Sequence, residues 1–483
     1  MEYIKLSYKT FRLLFLAVIL VVLATGCNDT LRQFITQIPG PGGDPAASAH
    51  AIALSTNPAP AGNGTDTHIN VSGDTEVGIV TTGPNPLFLG KTNNRAFVIN
   101  GDSTVTISFA LLPAATTNTV TLPTTGPDSV SGSIGGGTSS TGNIYIANKG
   151  SDSVSVISGS VLAVTNTIHL LPGSNPVMIA GNSANSKIYV VNSGTGDVTV
   201  ISTIDDKVVK NITVGSSPIW AVMSADARNV FVVNQGSGSV SVIDTLLDIT
   251  IMPDIPVGLV PATSSPNFAF YEPNLKRVYV SNTGESTITV IKANGIDLGV
   301  VPPVLPVKLK DVMLTGAPTS VAALPNGTKA YAALGACPAG TNHTNMSTNL
   351  ASCNGSLVSQ IDANALVETK TIQVAPGAVS LDVASDSSRV YVVSAHDVTT
   401  ITDNVNTVPQ PARTISTPSI SIIRTSTDTV LRPPVDPSVT SLVPTFHVPQ
   451  QDSNCIATID STFNKKVPIP CVGQMPFTIL TAP

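Results

Sequence analysis

Along most of the chain, apolar residues come in short runs. Some alternate with Ser or Thr, others are continuous for four or five positions, and Gly, Asn, Asp and Ser stand between them. The pattern is cleanest from Lys187 to Thr245. There K-I-Y-V-V-N-S-G-T-G-D-V-T-V-I-S leads through D-K-V-V-K-N-I-T-V-G-S-S-P-I-W-A-V-M to N-V-F-V-V-N-Q-G-S-G-S-V-S-V-I-D-T. Two copies of one unit lie here, with Tyr189 and Phe231 in the same place. Period-two alternation bounded by turn residues predicts antiparallel strands, and a continuous apolar run predicts a strand buried on both faces.

Alignment on the aromatic gives eight copies, at Phe97, Tyr145, Tyr189, Phe231, Tyr279, Tyr331, Tyr391 and Phe446. Asn follows three positions later in the first five, as Asn100, Asn148, Asn192, Asn234 and Asn282, whereas Leu334, Ser394 and Pro449 take its place in the last three. A Gly/Ser turn and an alternating strand come next (V-S-V-I at 154–157, V-T-V-I at 198–201, I-T-V-I at 288–291), then a further strand. A Pro stands 13 residues before the aromatic at Pro84, Pro176, Pro218, Pro266 and Pro318. Each unit thus predicts four short strands, A to D. The aromatic is expected to pack between units. The Asn is expected to cap the tight turn, where its side chain mimics backbone and tolerates left-handed geometry.

Four strands in about 40–50 residues is the size of a propeller blade. A blade has two apolar faces and cannot bury them alone; stacking blades in a ring buries both and removes the exposed ends. The expected fold is all-β: one closed, monomeric β-propeller of four-stranded antiparallel blades over residues 49–483, with insertions near 337–353 and 404–440. Counting aromatics favours eight blades. Seven result if 404–440 is an insertion, nine if the termini build an extra blade. Residues 67–73 and 76–80 look like unassigned outer strands, and Pro476 to Pro483 like an A strand with nothing after it. These leftovers predict a closing blade shared between the two ends.

The unit resembles the bacterial YVTN-type β-propeller repeat, with Tyr189-Val190-Val191-Asn192 and Tyr279-Val280-Ser281-Asn282 standing for its Tyr-Val-Thr-Asn. The resemblance implies a propeller of the lactonase-like superfamily.

The first 26 residues have a basic leader (Lys5, Lys9, Arg12), an apolar run from Leu13 to Leu23 and a small-residue end. That run is about half of the roughly 20 residues a membrane-spanning helix needs, so the segment reads as a signal peptide. Ala24-Thr25-Gly26-Cys27 resembles the lipobox of bacterial lipoproteins. The resemblance implies cleavage before Cys27, a lipid on its thiol and, with Asn28 next, an outer-membrane address on the periplasmic or surface side. Residues 27–48 then form a tether, since I-P-G-P-G-G-D-P can hold neither a helix nor a ladder.

Charged residues make up only 11% of the 483, with a net charge of −6. An acidic chain with no basic run past residue 12 excludes a broad nucleic-acid footprint. In an exported protein four further cysteines argue for disulfides. Cys455 and Cys471 face each other across a predicted hairpin, and Cys337 and Cys353 bracket a polar insertion; a metal site using these thiols and His343 is the alternative. The six histidines (50, 68, 169, 343, 396, 447) form no zinc-type pattern. Gly135-Gly136-Gly137 lies between strands with no helix after it, so it is no phosphate cradle. Asp205-Asp206 and Asp226 fall in turns, where calcium is conceivable. Trp220 lies in an A strand near the channel, as core or as a ligand platform.

No catalytic residue, cofactor or metal is assigned. The expected function is a non-catalytic envelope module that binds an unknown protein or polysaccharide partner, or belongs to a surface layer. The alternative implied by the resemblance is a lactonase-like hydrolase using the channel.

Labelling cells with palmitate should mark the wild-type protein and leave a Cys27→Ala variant unlabelled. Non-reducing peptide mapping should recover Cys337 joined to Cys353 and Cys455 joined to Cys471, the first closing a loop worth roughly 3 kcal/mol in chain entropy.

Overall fold

The computed structural model describes residues 50–482, apart from 56–62, 71–74, 92–94, 110–116, 182–184, 252, 294–304, 335–356, 375–377, 395–397, 402–403, 406–407, 410–412, 417–418, 431–455, 460–464 and 469–475. Eight four-stranded antiparallel sheets form the blades of a β-propeller. In blade 3 they are Pro176–Ala180 (A), Lys187–Asn192 (B), Asp197–Ser202 (C) and Lys207–Thr213 (D). The A strands of blades 1 to 7 begin at Pro86, Ser133, Pro176, Pro218, Pro266, Ser320 and Ala378. Blade 8 takes its A strand, Pro476–Ala482, from the far end of the chain. Its other three strands, His50–Ser55, Asn63–Asn70 and Thr75–Pro84, come from the near end. Each A strand touches the next all the way round, so the ring is closed.

The B and C strands read as near-continuous apolar runs because both their faces are covered. All six residues of Asn229–Asn234 and of Ser239–Asp244 are buried. Between each pair of neighbouring blades lies one apolar cluster, such as Tyr145, Val154, Ile179 and Val190 between blades 2 and 3. The D strands are exposed, and Lys207 and Lys210 at the blade 3 edge discourage pairing with another chain.

The expected shared closing blade is observed, and eight is the number of blades, but not by the route of counting aromatics. Phe446 lies outside the described residues, as do Cys27, the tether and the four later cysteines. The eighth blade has Ile52 opposite Leu480, the pairing that Phe231 makes with Val222, and Ser55 opposite Pro476, where Asn234 faces Pro218. Ile52 is fully buried against Leu89, Ala96 and Val98 of blade 1.

Three further expectations are corrected. Pro84 ends the D strand of blade 8, and Pro86 opens the next A strand. Gly135-Gly136-Gly137 does not lie between strands; it is inside the A strand Ser133–Thr138. A Cβ on Gly135 would stand 2.1 Å from the Val177 carbonyl oxygen and one on Gly137 2.7 Å from that of Ile179, so the triplet lets two inner strands meet backbone to backbone. Within 404–440, Ser419–Arg424 pairs with Arg389–Ser394 and Thr429–Val430 with Ser419–Arg424, making the C and D strands of blade 7.

The repeat Asn does not adopt left-handed geometry. That conformation falls later in the turn, on Ser103, Asp152, Gly196, Gly238 and Ser286. The Asn ends strand B, and its amide Nδ2 donates across the turn to hydroxyls of strand C. Asn148 reaches Ser153 and Ser155 at 3.2 and 2.9 Å, and Asn282 reaches Thr287 and Thr289 at 3.0 and 2.8 Å. Asn100 and Asn234 do the same, and Asn192 reaches Asp197 and Thr199. The Ser or Thr in each V-S-V-I or V-T-V-I strand is the receiver of this clamp.

The repeat Tyr carries a second link, to the C–D turn of the following blade. Tyr145 donates to Asp206 at 2.7 Å, Tyr189 to Asp248 at 2.9 Å and Tyr331 to Asp428 at 2.6 Å. All three Asp residues are left-handed (φ 53, 52 and 52), a conformation Asp tolerates. Lys187 and Lys329 neutralise Asp248 and Asp428. Blade 6 carries Leu366 (φ 54) at this position. The buried Tyr279 hydroxyl of blade 5 therefore has no hydrogen-bond partner. Burial pushes this phenol above its usual value, with the Arg277 guanidinium beside it pulling the other way.

Tyr189→Phe should accordingly cost about 1.5–3 kcal/mol in denaturant unfolding, the worth of a hydrogen bond to a charged group, while Tyr279→Phe should be neutral or stabilising. Burial, then the neighbouring carboxylates, raise the Tyr145, Tyr189 and Tyr331 phenols. The stability they supply is complete below the unfolded Tyr value of about 10 and should fall as pH rises past it.

Candidate functional site

Strand direction sorts every connection onto one of two faces. B–C turns and D–A connections emerge on one face, A–B and C–D turns on the other. In blades 1 to 5 the B–C turns are three or four residues long (101–103, 149–152, 193–196, 235–238 and 283–286). In blade 6 the B–C connection runs over residues 335–356 and in blade 7 over 395–418; the D–A connection from blade 7 to blade 8 runs over 431–475. These three connections therefore leave the same face, from consecutive blades, whereas the C–D connection of blade 5, over 293–306, leaves the other. Described parts of the last two of the three are short hairpins, Val398–Ile401 with Arg413–Ser416 and Ile456–Ile459 with Lys465–Pro468. Leu334 and Ser394, which replace the clamp Asn, are the residues from which the connections of blades 6 and 7 depart.

The same face holds one mouth of the central channel. Near it the A strands of blades 1 to 5 and 7 carry a bulge immediately after their first residue. The bulged residues Leu87, Ile134, Val177, Ile219, Asn267 and Val379 are partly or fully exposed although their strands are innermost. They make a mostly apolar collar. Asn267 is occupied within it, donating to the Thr319 carbonyl at 2.8 Å and accepting from Ser281 at 2.8 Å. One residue further on, Trp220 lies 4.8 Å from Phe268 between ring centroids, tilted by 41°. Its Nε1 donates to the Ala269 carbonyl at 3.1 Å. Trp220 is thus in the A strand expected for it, half-buried and fastened between blades 4 and 5.

Among the described residues, the charged groups on the A strands are Lys91, Glu272 and Asp382, in blades 1, 5 and 7. Glu272 is buried and accepts from the Asn274 and Leu275 amides at 2.6 and 2.7 Å, so it holds its own turn; burial raises its carboxyl despite those bonds. Asp382 accepts from the Val383 amide at 2.9 Å. No three His, Cys, Asp or Glu come together as a metal site among the described residues.

Of the histidines, His68 lies fully buried beside Asp66 at 3.2 Å on strand C of blade 8, and Ser108 of blade 1 donates to the other Asp66 oxygen at 3.1 Å. Ser108 bonds the carboxylate and not the imidazole, so the trio is a polar plug in the closing seam. His169 is exposed, 3.3 Å from Asp128. The side chain of His50 and all of His343, His396 and His447 lie outside the described residues. Asp226 accepts from Ser224 and the Arg228 amide, a turn role that sequence reading anticipated. What it missed were the Tyr–Asp links, whose partners stand 59 to 97 residues apart and leave no local spacing to find.

Solved structures with this fold include NirN, a dihydro-heme d1 dehydrogenase in complex with DHE, at a TM-score of 0.57 and 10% identity, over 80% of this chain and 73% of that one. Apo AztD from Citrobacter koseri superposes at a TM-score of 0.52 and 10% identity, over 91% and 98% of the two chains. A second AztD structure gives 0.51 and 11%, over 90% and 98%. At such identities the likeness is one of fold, and it places this chain among the β-propellers. No protein-family model and no curated protein matches the sequence.

Proposed function

We propose that this β-propeller is a non-catalytic binding module of the bacterial cell envelope, held at the outer membrane by a lipid on Cys27. Its partner would be an envelope protein or polysaccharide. One observation carries the reading: the three long connections of blades 6 to 8 all leave one face, where the B–C turns of blades 1 to 5 are only three or four residues long. Loops raised from a rigid scaffold are where recognition is ordinarily built. The apolar collar and the tied-up polar groups at the channel mouth support binding over acid–base work, which needs a base and a cationic or hydrogen-bonding group converging on one point.

Crosslinking in intact cells, followed by capture of the protein, should yield a defined partner. Replacing residues 335–356 by the four-residue turn of 235–238 should keep the unfolding transition and abolish that crosslink. An unchanged crosslink would move recognition to another surface, and lactone hydrolysis by the purified protein would replace the proposal with an enzymatic one.

A further inference from the structure

The face opposite the long connections has an unusual chemistry at its C–D turns. Turn tips ordinarily show polar residues to water, yet here the tips of three consecutive blades are apolar. Val161 in blade 2 is 67% exposed, Ile204 in blade 3 82%, and Leu246 and Leu247 in blade 4 69% and 49%. In blades 3 and 4 several carboxylates of these turns are drawn inward. Asp244 Oδ1 accepts from the Leu246 and Leu247 amides at 2.7 and 3.0 Å, which turns both leucines outward. Asp248 is spent on Tyr189 and Lys187, and Asp206 on Tyr145. The exposed charges left at the blade 3 tip, Asp205 and Lys207, stand 3.6 Å apart and offset one another. The arc ends at blades 6 and 7, whose tips carry Asn364-Ala365 and Ser426-Thr427.

The chain also joins the propeller at this face. His50 opens a B strand, and B strands start at the A–B and C–D end. Residues 1–49, with the apolar run Leu13 to Leu23 and Cys27, are thus covalently attached on the side where the apolar tips project.

We propose that the C–D turn face of blades 2 to 4 rests on a lipid bilayer, with Val161, Ile204, Leu246 and Leu247 entering its interface and the long connections turned away from it. Separate apolar side chains on protruding turns suit the disordered boundary between headgroups and acyl chains, about 5–10 Å deep, better than they suit the continuous concave surface of a protein pocket. The inference rests on the lipid-anchor part of the function proposed above, and its test separates the two.

Full-length protein purified from membranes would be reconstituted into phosphatidylcholine–phosphatidylglycerol vesicles carrying brominated acyl chains. Ile204→Trp and Leu246→Trp are two independent reporters on the proposed face. Leu259→Trp is the control, because Leu259 is equally prominent (58% exposed) in the D–A connection on the other face. Fluorescence of both reporters should be quenched roughly twofold or more beyond the control, as expected for indoles at acyl-chain depth. Equal quenching of the three, or none at the reporters, overturns the docking. A crosslink from position 204 or 246 to a polypeptide would assign the face to a protein instead. Palmitate labelling and vesicle flotation report the anchor separately. A labelled, floating protein without reporter quenching refutes the docked face alone, and quenching without label supports the docked face alone.

Discussion

Every blade has two apolar faces, and burying both is the constraint on which the rest of the structure depends. A sheet whose B and C strands are buried throughout, such as Asn229–Asn234 and Ser239–Asp244, cannot end at water on either side. Seven blades in a row would leave two large faces open. The ring closes because Pro476–Ala482 pairs with His50–Ser55, stitching the far end of the chain to the near one. Among the described residues, the seam between blades 8 and 1 packs Ile52 and Leu54 against Leu89, Ala96 and Val98, supplemented by the buried Asp66, His68 and Ser108. A buried polar group is costly unless it is hydrogen-bonded, and Ser108 supplies Asp66 with such a bond across the seam.

Within this frame two polar devices set the geometry. The Asn clamp acts inside a blade, tying the end of strand B to the hydroxyls of strand C, so turn and register are fixed together. The Tyr–Asp link acts between blades, fixing the B strands of blades 2, 3 and 6 to the left-handed turns of the blades that follow them. Both act through buried polar atoms, where a bond left unmade is expensive. Blade 6 shows the consequence of losing one member. Leu366 keeps the left-handed backbone and adds apolar surface to the core between blades 5 and 6, while Tyr279 keeps a hydroxyl with nothing to receive it. The clamp is present in blades 1 to 5, and the long connections of blades 6 and 7 begin where Leu334 and Ser394 have replaced its Asn.

The two faces of the ring therefore differ in kind. One carries long connections from three adjacent blades around an apolar channel mouth. The other carries, in blades 2 to 4, short C–D turns with aliphatic tips, Asp206 and Asp248 being drawn inward to tyrosines. Which face each connection joins follows from strand direction alone once the blades are assigned.

Much of this was legible in the residues. Alternation, turn spacing and the aromatic at Tyr145, Tyr189, Phe231 and Tyr279 gave strands, blades and a closed ring, because those signals are local and recur within one unit. Leftover strands at the two ends foretold a shared closing blade. The identity of the eighth blade was hidden, because Ile52 fills the aromatic position, meeting the same packing demand with a different letter, and Ser55 takes the Asn position. The candidate site was barely legible. Which face the connections share, what collars the channel and which aspartates meet which tyrosines depend on strand direction and on pairs tens of residues apart, and only the closed ring brings them together. The sequence by itself determined the repeating unit, since burial on two faces writes itself into period and turn; the tertiary structure decided how the ring closes and what each face presents, since those are relations between units.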